Sequence, residues 1–390
     1  MCRRLIRFPA KFNSENNPTG EKDICAQCQN QLELGKQLTH AEFVSFFADN
    51  TGKIKCGGLS ASIGDAPQAG AFHIVRFNNP DLLPANRFPA SFRYLTNYVP
   101  RDDDRNPWTF ESIAAERFIS DSDIDEDRGR RALLGILKAD VDYLGLIFQE
   151  GLRRDAPAQG LDSITRISAL SRQLEWFFSG WLEWKLRTEY DGCYAVYSGG
   201  DDLLLIGPRG RMLTMAGNIQ RIFQTYTRNP AITLSAGLAI VKSRLPLAHT
   251  VAEADAALEQ AKNNGRDSLC FLNDPMKWQE FSSISVEIQR LSRLVAMRDE
   301  GRRVPSGFLY ELLQAAEMRK AYKEKDDLLA LRYHPRLAYQ IARNIDPDRQ
   351  RELFEWATRL LQLPESVETQ HLWQHLRLIT QWALLERRES

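Results

Sequence analysis

The stretch YAVYSGGDDLLLIG, residues 194–207, joins two apolar runs through two glycines and two aspartates. Apolar runs on either side of a Gly/Asp turn predict a β-hairpin whose tip carries Asp201 and Asp202. Gly199 and Gly200 tolerate a positive φ and leave the tip without side chains, so that a ligand backbone or a phosphate can approach. Gly and Asp also dominate ordinary turns, so the interpretation depends on the sequence around the hairpin.

A second pair of aspartates, Asp140 and Asp142, closes an apolar run that we interpret as a strand. In a palm-type sheet the end of that strand lies beside the hairpin tip, which predicts that Asp140 meets Asp201 or Asp202 around a divalent cation. Neighbouring carboxylates repel one another unless a cation lies between them. Because side chains alternate along a strand, we expect Asp201 and Asp202 to point in different directions. Oxygen ligands suit Mg²⁺ or Mn²⁺, which would bridge nucleotide phosphates in a two-metal arrangement.

The surrounding pattern predicts the element order β-α-β-β-α-β-α-β. This order is compatible with an α+β domain of the ferredoxin-like or palm type, and we expect its helices on one face of the sheet. A long helix from about Asp162 to Glu189, with Asp162 or Ser163 as its N-cap, precedes the hairpin. After the hairpin come a helix over 212–226, a strand over 231–241, a helix over 247–265 and a strand over 267–272.

Two cations, Lys262 and Arg266, lie at the end of the last predicted helix, next to the C-cap pair Asn264-Gly265. Lys262 is placed to pair with a phosphate near the hairpin. A solvated helix end would contain the same residues, and both interpretations stay open at this point.

Three regions are predicted along the chain. A linker region with a CxxC motif and irregular strands covers 1–130, the palm covers 131–275, and an all-helical C-terminal domain covers 276–390. Within the first region we predict a helix over 33–48 and short strands over 71–77 and 92–99.

Composition excludes several classes of protein. Lys+Arg and Asp+Glu both number 51, and the resulting zero net charge argues against a chain that coats nucleic acid by bulk charge. No apolar stretch approaches the roughly 20 residues needed to span a bilayer, and the first residues do not form a signal peptide. Six scattered cysteines do not make a disulfide framework, which favours reduced thiols and a cytoplasmic location.

The residues of this region resemble the palm superfamily that includes the GGDEF diguanylate cyclases, most clearly over 234–272. The signature here is GGDD followed by Leu, which departs from GGDEF. It is more similar to the large subunit of type III CRISPR effector complexes, in the III-A (Csm-type) branch. The quoted similarity lies in ICAQCQNQLELGKQL (24–38), LLGILKADVDYLGLIFQEGL (133–152), SITRISALSRQLEWFF (163–178), YSGGDDLLLIGP (197–208), VPSGFLYELLQAAE (304–317), YHPRLAYQIARN (333–344) and LRLITQWALLERR (376–388).

The resemblance implies an RNA-gated nucleotidyltransferase. Target RNA that pairs with a guide RNA would license the palm to convert ATP into cyclic 3′-5′ oligoadenylates. The implied catalytic and Mg²⁺-binding residues are Asp140, Asp201 and Asp202. The implied nucleotide-binding residues are Gly145, Ser198, Gly199, Gly200, Lys262 and Arg266.

The resemblance also implies a zinc-binding linker. Cys25 and Cys28 would supply two ligands and Cys2 a third, with Cys56 or His40 completing the four that a closed site needs. The alternative is a pair of free thiols in a small helical cap.

Members of the family also carry an HD nuclease domain and a first palm. This sequence has no His-Asp dipeptide, and nothing before residue 130 reads as a complete palm. We therefore expect a separate chain to supply those domains, beside the other complex subunits, the guide RNA and the target RNA. A split subunit, a degenerate copy and a shortened piece of a longer chain all remain open. Two other functions also remain: a free-standing cyclic dinucleotide synthase acting on GTP, and a non-catalytic scaffold of the complex.

Overall fold

The computed structural model describes residues 26–79, 90–104, 106–115, 132–151, 163–297, 304–363 and 366–389. The chain divides into one unit up to Arg93 and a second unit from Tyr94 onward. Each unit is described by itself.

The first unit contains a helix and a five-stranded sheet in the order β2-β3-β1-β4-β5. Its elements are α1 (Ala26–Leu38), β1 (Phe43–Phe47), β2 (Ile54–Cys56), β3 (Leu59–Gly64), β4 (His73–Phe77) and β5 (Ala90–Arg93). The strand predicted over 71–77 is confirmed as β4. The strand predicted over 92–99 is found only at its first two residues, in β5.

The helix predicted over 33–48 is wrong in its second half. The helix ends at Leu38, and Phe43–Phe47 form a strand between β3 and β4. In the sequence FVSFF, Phe43, Ser45 and Phe47 are buried and the residues between them are partly exposed. This is the period of two that a strand requires, and aromatic residues favour it.

The second unit begins with α2 (Phe110–Ala114) and builds the palm on a six-stranded sheet in the order β11-β10-β9-β6-β8-β7. The strands are β6 (Leu133–Val141), β7 (Tyr194–Gly199), β8 (Asp202–Pro208), β9 (Leu234–Lys242), β10 (Ser268–Phe271) and β11 (Asp274–Lys277). The strands β9-β6-β8-β7 are antiparallel neighbours in the 4-1-3-2 order of a ferredoxin-like sheet, and β10 is parallel to β9. The predicted order of elements is confirmed, with β11 as an additional strand.

The helices between these strands are α3 (Leu144–Leu146), α4 (Ile164–Glu175), α5 (Leu182–Thr188), α6 (Arg209–Thr227) and α7 (Leu247–Asn263). A π-helical turn, Trp176–Trp181, joins α4 to α5, so the long helix predicted to Glu189 is confirmed and contains this turn. Ser163 takes the N-cap position of α4, and Asp162 lies outside the described residues.

The prediction that the helices lie on one face of the sheet is wrong. On one face, Leu137 and Leu205 pack into a core with Met212 and Phe223 of α6. On the other face, the alternate sheet residues pack with Ala254 of α7 and with α2. The sheet is buried on both sides, which explains why its strands read as continuous apolar runs.

Helix α7 approaches the sheet closely at Gly237. A Cβ on Gly237 would lie 2.2 Å from the backbone nitrogen of Leu258 and 2.5 Å from the Ala254 carbonyl oxygen. Only glycine allows this separation, and the approach brings the end of α7 over the carboxyl end of β6.

The described residues after β11 are helical, as predicted. They form α8 (Trp278–Ala296), α9 (Ser306–Lys325), α10 (Tyr333–Asn344), α11 (Arg351–Thr358), α12 (Val367–Gln374) and α13 (Leu376–Glu389), with 3₁₀ turns at Leu328–Arg332 and Arg359–Leu361. Trp356, Trp382 and Phe308 are fully buried in a core that is continuous with one face of the palm sheet. Within the part of the chain that the structure describes, no helix has the length and apolar character needed to cross a bilayer.

Candidate active site

The GGDD hairpin closes through a two-residue turn. Gly199 pairs with Asp202, so Gly200 and Asp201 are the central turn residues. Gly200 has φ +67° and Asp201 does not have a positive φ, which is the type II′ pattern that favours glycine at the first position. The need for a positive φ is therefore met at Gly200, while Gly199 is an ordinary strand residue. A Cβ on Gly200 would meet no atom within 4 Å, so the turn is open at this point.

The carboxyl end of β6 lies beside this turn, as the sequence predicted. Asp140 and Asp202 are direct cross-strand partners in the β6–β8 register. The backbone nitrogen of Val141 donates to the Asp201 carbonyl oxygen at 3.0 Å. Burial, followed by the charges of Asp140 and Asp202, raises the pKa of Asp201, and the nearby Lys262 opposes this shift. The three carboxylates therefore interact electrostatically.

Lys262 brings a positive charge to this cluster. Its Nζ lies 2.8 Å from Oδ2 of Asp140, and both side chains are about one quarter exposed. Lys262 is in the last turn of α7, where a positive charge also favours the helix dipole. Asn264 ends the helix and Gly265 follows with φ +80°, so the predicted C-cap is confirmed.

The donor set fits a hard divalent cation held together with a nucleotide. Among the described ranges, no three His, Cys, Asp or Glu side chains are arranged as a complete metal site. Mg²⁺ does not need one, because it binds through one or two carboxylates and completes its octahedron with phosphates and water. Asp140 and Asp202 lie opposite one another on β6 and β8, with Asp201 in the adjoining β7–β8 turn, and this arrangement matches that mode.

Most of the predicted zinc ligands lie outside the described residues. Cys2 and Cys25 lie outside the described residues, as do the side chains of Cys28 and Cys56. His40 follows the end of α1 and is exposed. Zinc binding stays a prediction.

Asp142, the second aspartate of the DxD pair, serves the fold. Its carboxylate is almost fully buried and accepts hydrogen bonds from Thr233 Oγ1 (2.8 Å), Ser235 Oγ (2.7 Å) and the backbone nitrogen of Asp267 (3.0 Å). These bonds join the end of β6 to the start of β9 and to the segment after α7. Asp142 thereby holds the segment that carries Asp140 in place.

Arg266 and Gly145 lie on the Tyr143 side of this segment. The guanidinium of Arg266 lies 4.0 Å from the Tyr143 ring centroid and donates to the Tyr143 hydroxyl at 3.0 Å. Tyr143 has φ +56° and is half exposed. A Cβ on Gly145, in α3, would meet nothing within 4 Å. Both remain predicted nucleotide contacts, and the structure pairs Arg266 with an exposed aromatic ring.

Ser198 is engaged with the protein. Its hydroxyl donates to the carbonyl oxygen of Phe178 at 2.6 Å, so its proton is not directed at the open side of the turn. Its role as a direct nucleotide ligand stays a prediction, and the observed contact is with the π-helical turn.

Sequence reasoning missed a polar network beside the carboxylates. Lys138, two residues before Asp140 on the same face of β6, forms an ion pair with Asp255 of α7. Tyr197 interacts with Lys138 and Asp202, and burial, with the Asp202 charge second, raises the pKa of Tyr197. The available signal was the lysine itself, because a charged residue inside an otherwise apolar strand needs a partner.

Comparison with known proteins agrees with this geometry. Residues 133–270 match the family model described as "Cas10/Cmr2, second palm domain". A Cas10/Csm1 protein (subtype III-A) of Methanocaldococcus jannaschii is 31% identical over 221 residues, which cover 50% of this chain and 25% of the relative. A Cas10/Csm1 protein of Enterococcus italicus is 27% identical over 239 residues, which cover 60% of this chain and 29% of the relative. The curated names describe both relatives as single-strand-specific deoxyribonucleases.

Solved structures show the same fold. A Csm1–Csm4 cassette in complex with cA4 superposes with a TM-score of 0.61 at 19% identity, covering 89% of this chain and 48% of that chain. Csm1 of T. onnurineus superposes with a TM-score of 0.59 at 21% identity, covering 90% of this chain and 49% of that chain. The chain thus spans 25% and 29% of the two curated relatives and about half of the solved chains. Residues 133–270 therefore match the second palm domain of the Cas10/Cmr2 family, and the chain is similar to part of the large subunit, Cas10/Csm1, of type III-A (Csm-type) CRISPR systems.

Proposed function

We propose that this chain is the GGDD-bearing part of a type III-A RNA-guided complex and that its palm converts ATP into cyclic oligoadenylates when target RNA is bound. The observation that carries the proposal is the pairing of Asp140 with Asp202 across β6 and β8, beside the open turn at Gly200. Solved Csm1–Csm4 cassettes of the same fold are in complex with AMPPNP, ATP and cA4, which supports nucleotide binding by this chain.

In the reaction, the 3′-oxygen of one ATP bonds to the α-phosphorus of another. The bond from that phosphorus to the oxygen that bridges to the β-phosphate breaks, the 3′-hydroxyl proton is released to solvent and pyrophosphate leaves. Ring closure repeats the step, with the last 3′-oxygen bonding to the α-phosphorus of the first nucleotide and a further pyrophosphate leaving. Asp140, Asp201 and Asp202 would hold Mg²⁺ or Mn²⁺, which supplies Lewis-acid activation of the hydroxyl and charge neutralisation of the leaving group. Gly200 leaves room for the phosphates, and Lys262 exchanges its contact with Asp140 for one with a phosphate oxygen.

The partners are part of the proposal. A Csm4 chain accompanies Csm1 in the solved cassettes, and one such pair belongs to a Csm interference complex. For this chain we propose neighbouring Csm-type subunits, a guide RNA and a target RNA as partners. The division into a linker region (1–130), palm (131–275) and helical domain (276–390) is proposed with it, as is a zinc ion in the linker.

The test is ATP turnover with Mg²⁺, with products identified by mass spectrometry. The chain is assayed alone and then with guide RNA, neighbouring subunits and matching target RNA. We expect cyclic oligoadenylates only in the complete mixture, and their loss in the Asp201→Asn/Asp202→Asn variant. Asp348→Asn, an exposed change in the helical domain, is the matched control. Rapid cyclisation by the chain alone would contradict the need for the guide RNA, the target RNA and the neighbouring subunits.

The same assay separates the two alternatives. A product from GTP without RNA would identify a free-standing cyclic dinucleotide synthase. Assembly of the complex with unchanged activities in the Asp201→Asn/Asp202→Asn variant would identify a scaffold.

A further inference from the structure

The hairpin that carries Asp201 and Asp202 lies at an edge of the palm sheet. Strand β7 pairs with β8 on one side and has a register irregularity between Ala195 and Tyr197. An edge strand with a bulge is held by fewer ladder hydrogen bonds than a central strand. A catalytic side chain must be held within about 0.5 Å of its working position. The hairpin therefore needs support from outside the sheet.

The π-helical turn provides that support through an exchange of two hydrogen bonds. Ser198 Oγ donates to the carbonyl oxygen of Phe178 at 2.6 Å, and Ser179 Oγ donates to the carbonyl oxygen of Ser198 at 3.2 Å. Ser179 is 4% exposed, and a Cβ on Gly199 would lie 3.5 Å from its hydroxyl oxygen. Ser198, the last residue before the GGDD sequence, is thus held at its side chain by the Phe178 carbonyl and at its backbone by the Ser179 hydroxyl.

A third hydroxyl shares the same acceptor. Thr96 Oγ1 donates to the Phe178 carbonyl oxygen at 3.2 Å, and Thr96 is 7% exposed. The segment that carries Thr96 is itself held by Glu183, whose Oε2 accepts from the backbone nitrogens of Asn97 (3.1 Å) and Tyr98 (3.2 Å). We name Thr96, Phe178, Ser179 and Ser198 the hydroxyl clamp.

Resting on the proposed function, we propose that Ser198 is a positioning residue: through the hydroxyl clamp it sets the GGDD turn so that Asp201 and Asp202 face Asp140. Ser198 touches neither the nucleotide nor the metal in this assignment. Its neighbour Gly199 pairs with Asp202, so a displacement at Ser198 is passed to the carboxylates within one residue.

The experiment compares Ser198→Ala, Ser198→Thr and Thr96→Val with the unchanged chain. Ser198→Thr keeps the hydroxyl, and Thr96→Val removes the shared donor while keeping the side-chain volume. Thr225→Val, which removes a hydroxyl bonded only to its own helix carbonyl in α6, is the matched control. Three quantities are measured: hydrogen exchange of the hairpin amides, Mn²⁺ affinity of the chain, and kcat and KM for ATP in the assembled complex.

For Ser198→Ala we expect hairpin amides over 197–204 to exchange about tenfold faster, as the loss of one intramolecular hydrogen bond predicts. Mn²⁺ affinity should fall about tenfold, and kcat about 10- to 100-fold with KM for ATP within about twofold. Ser198→Thr should restore all three, and Thr96→Val should show smaller changes in the same direction.

Two results would overturn the assignment. One is that Ser198→Ala has the same hairpin amide exchange rates and the same Mn²⁺ affinity as Thr225→Val. The other is a raised KM with kcat unchanged, which would make Ser198 a nucleotide ligand. If Ser198→Ala does not fold, Thr96→Val decides by the same criteria. If even the unchanged complex makes no oligoadenylate, the proposed function fails, and hydrogen exchange and Mn²⁺ affinity still decide the role of Ser198.

Discussion

Lys262 Nζ and Asp140 Oδ2 are 2.8 Å apart, so an ammonium group from α7 neutralises the carboxylate at the end of β6. This contact links the sheet that carries the acids to α7, which packs on the face of the sheet opposite to α6. A lysine can release one anion for another because its charge is a compact point on a flexible stem. The ion pair therefore predicts competition between Lys262 and a divalent cation for Asp140.

Replacement of Lys262 by Met should have opposite effects on two ligands. Without nucleotide, Mn²⁺ affinity should rise by about fivefold, because the competing ammonium is gone. Affinity for a non-hydrolysable ATP analogue should fall by about tenfold, because a charge-assisted contact to phosphate is lost. Isothermal titration calorimetry of both ligands measures this, with Lys242→Met as a control for net charge on an exposed residue. A change of the same sign in the affinities for Mn²⁺ and for the ATP analogue would contradict the proposal that Lys262 moves between Asp140 and a phosphate.

Gly237→Ala should weaken both the fold and the site. The new methyl group would overlap the backbone of Leu258 and Ala254, which cannot move as a side chain can. We expect a loss of about 1–3 kcal/mol in the free energy of unfolding, measured by urea denaturation. Displacement of α7 should also weaken binding of the ATP analogue through Lys262. Gly210→Ala in α6, where a Cβ meets nothing within 4 Å, is the control and should be neutral or stabilising. A neutral Gly237→Ala would contradict the close packing of α7.

Asp142→Asn should destabilise the palm. The substitution places an amide donor where the Thr233 hydroxyl, the Ser235 hydroxyl and the Asp267 backbone nitrogen now donate. One buried donor then loses its acceptor, and the remaining hydrogen bonds are no longer made to a charged carboxylate. Together these losses should lower the free energy of unfolding by about 2–4 kcal/mol. Urea denaturation measures the loss, with Asp348→Asn as the exposed control. Stability equal to that of the control would show that the carboxylate charge is not needed there.

Cys270 should remain an unreactive thiol in the folded protein. Burial, together with the nearby Asp274 charge, raises the pKa of Cys270 from 9.0 to about 12, so its thiolate is scarce at pH 8. Mass spectrometry after alkylation at pH 8 should find Cys270 modified only once the protein is unfolded. Modification at the rate of a free thiol in the native protein would contradict its burial.

The same shift predicts a pH dependence of stability. Between pH 9 and 12 the unfolded thiol releases its proton while the folded thiol keeps it, so the unfolded state binds fewer protons. The contribution of Cys270 to the free energy of unfolding is complete below pH 9 and is lost as the pH rises toward 12. The stability difference between the unchanged protein and Cys270→Ala should be constant below pH 8 and shift steadily above pH 9. A difference that is independent of pH would contradict the raised pKa.

The hairpin, the order of the palm elements and the helical C-terminal region were predictable because each depends on a local pattern. The GGDD turn needs glycine where φ is positive, the sheet strands are continuous apolar runs, and the C-terminal region is dominated by Leu, Arg, Glu and Gln at spacings of three to four. The helix wrongly extended over Phe43–Phe47 shows the limit of this reasoning. In that segment a tertiary sheet imposes a period of two on a run too short to distinguish by pattern alone.

By itself the sequence determined which acids could meet. Asp140 lies at the end of one predicted strand, Asp201 and Asp202 lie at the tip of the predicted hairpin, and a palm sheet places these two ends side by side. Tertiary structure decided what each polar group does. Asp142 is two residues after Asp140. It is nevertheless a buried structural residue, because two hydroxyl groups and a backbone amide from distant segments donate hydrogen bonds to its carboxylate. Ser198 and Lys262 bind the Phe178 carbonyl and Asp140, partners 20 and 122 residues away along the chain. Such contacts form only when distant segments are packed together, because hydrogen bonds and ion pairs act over a few ångströms and leave no periodic signal in the chain.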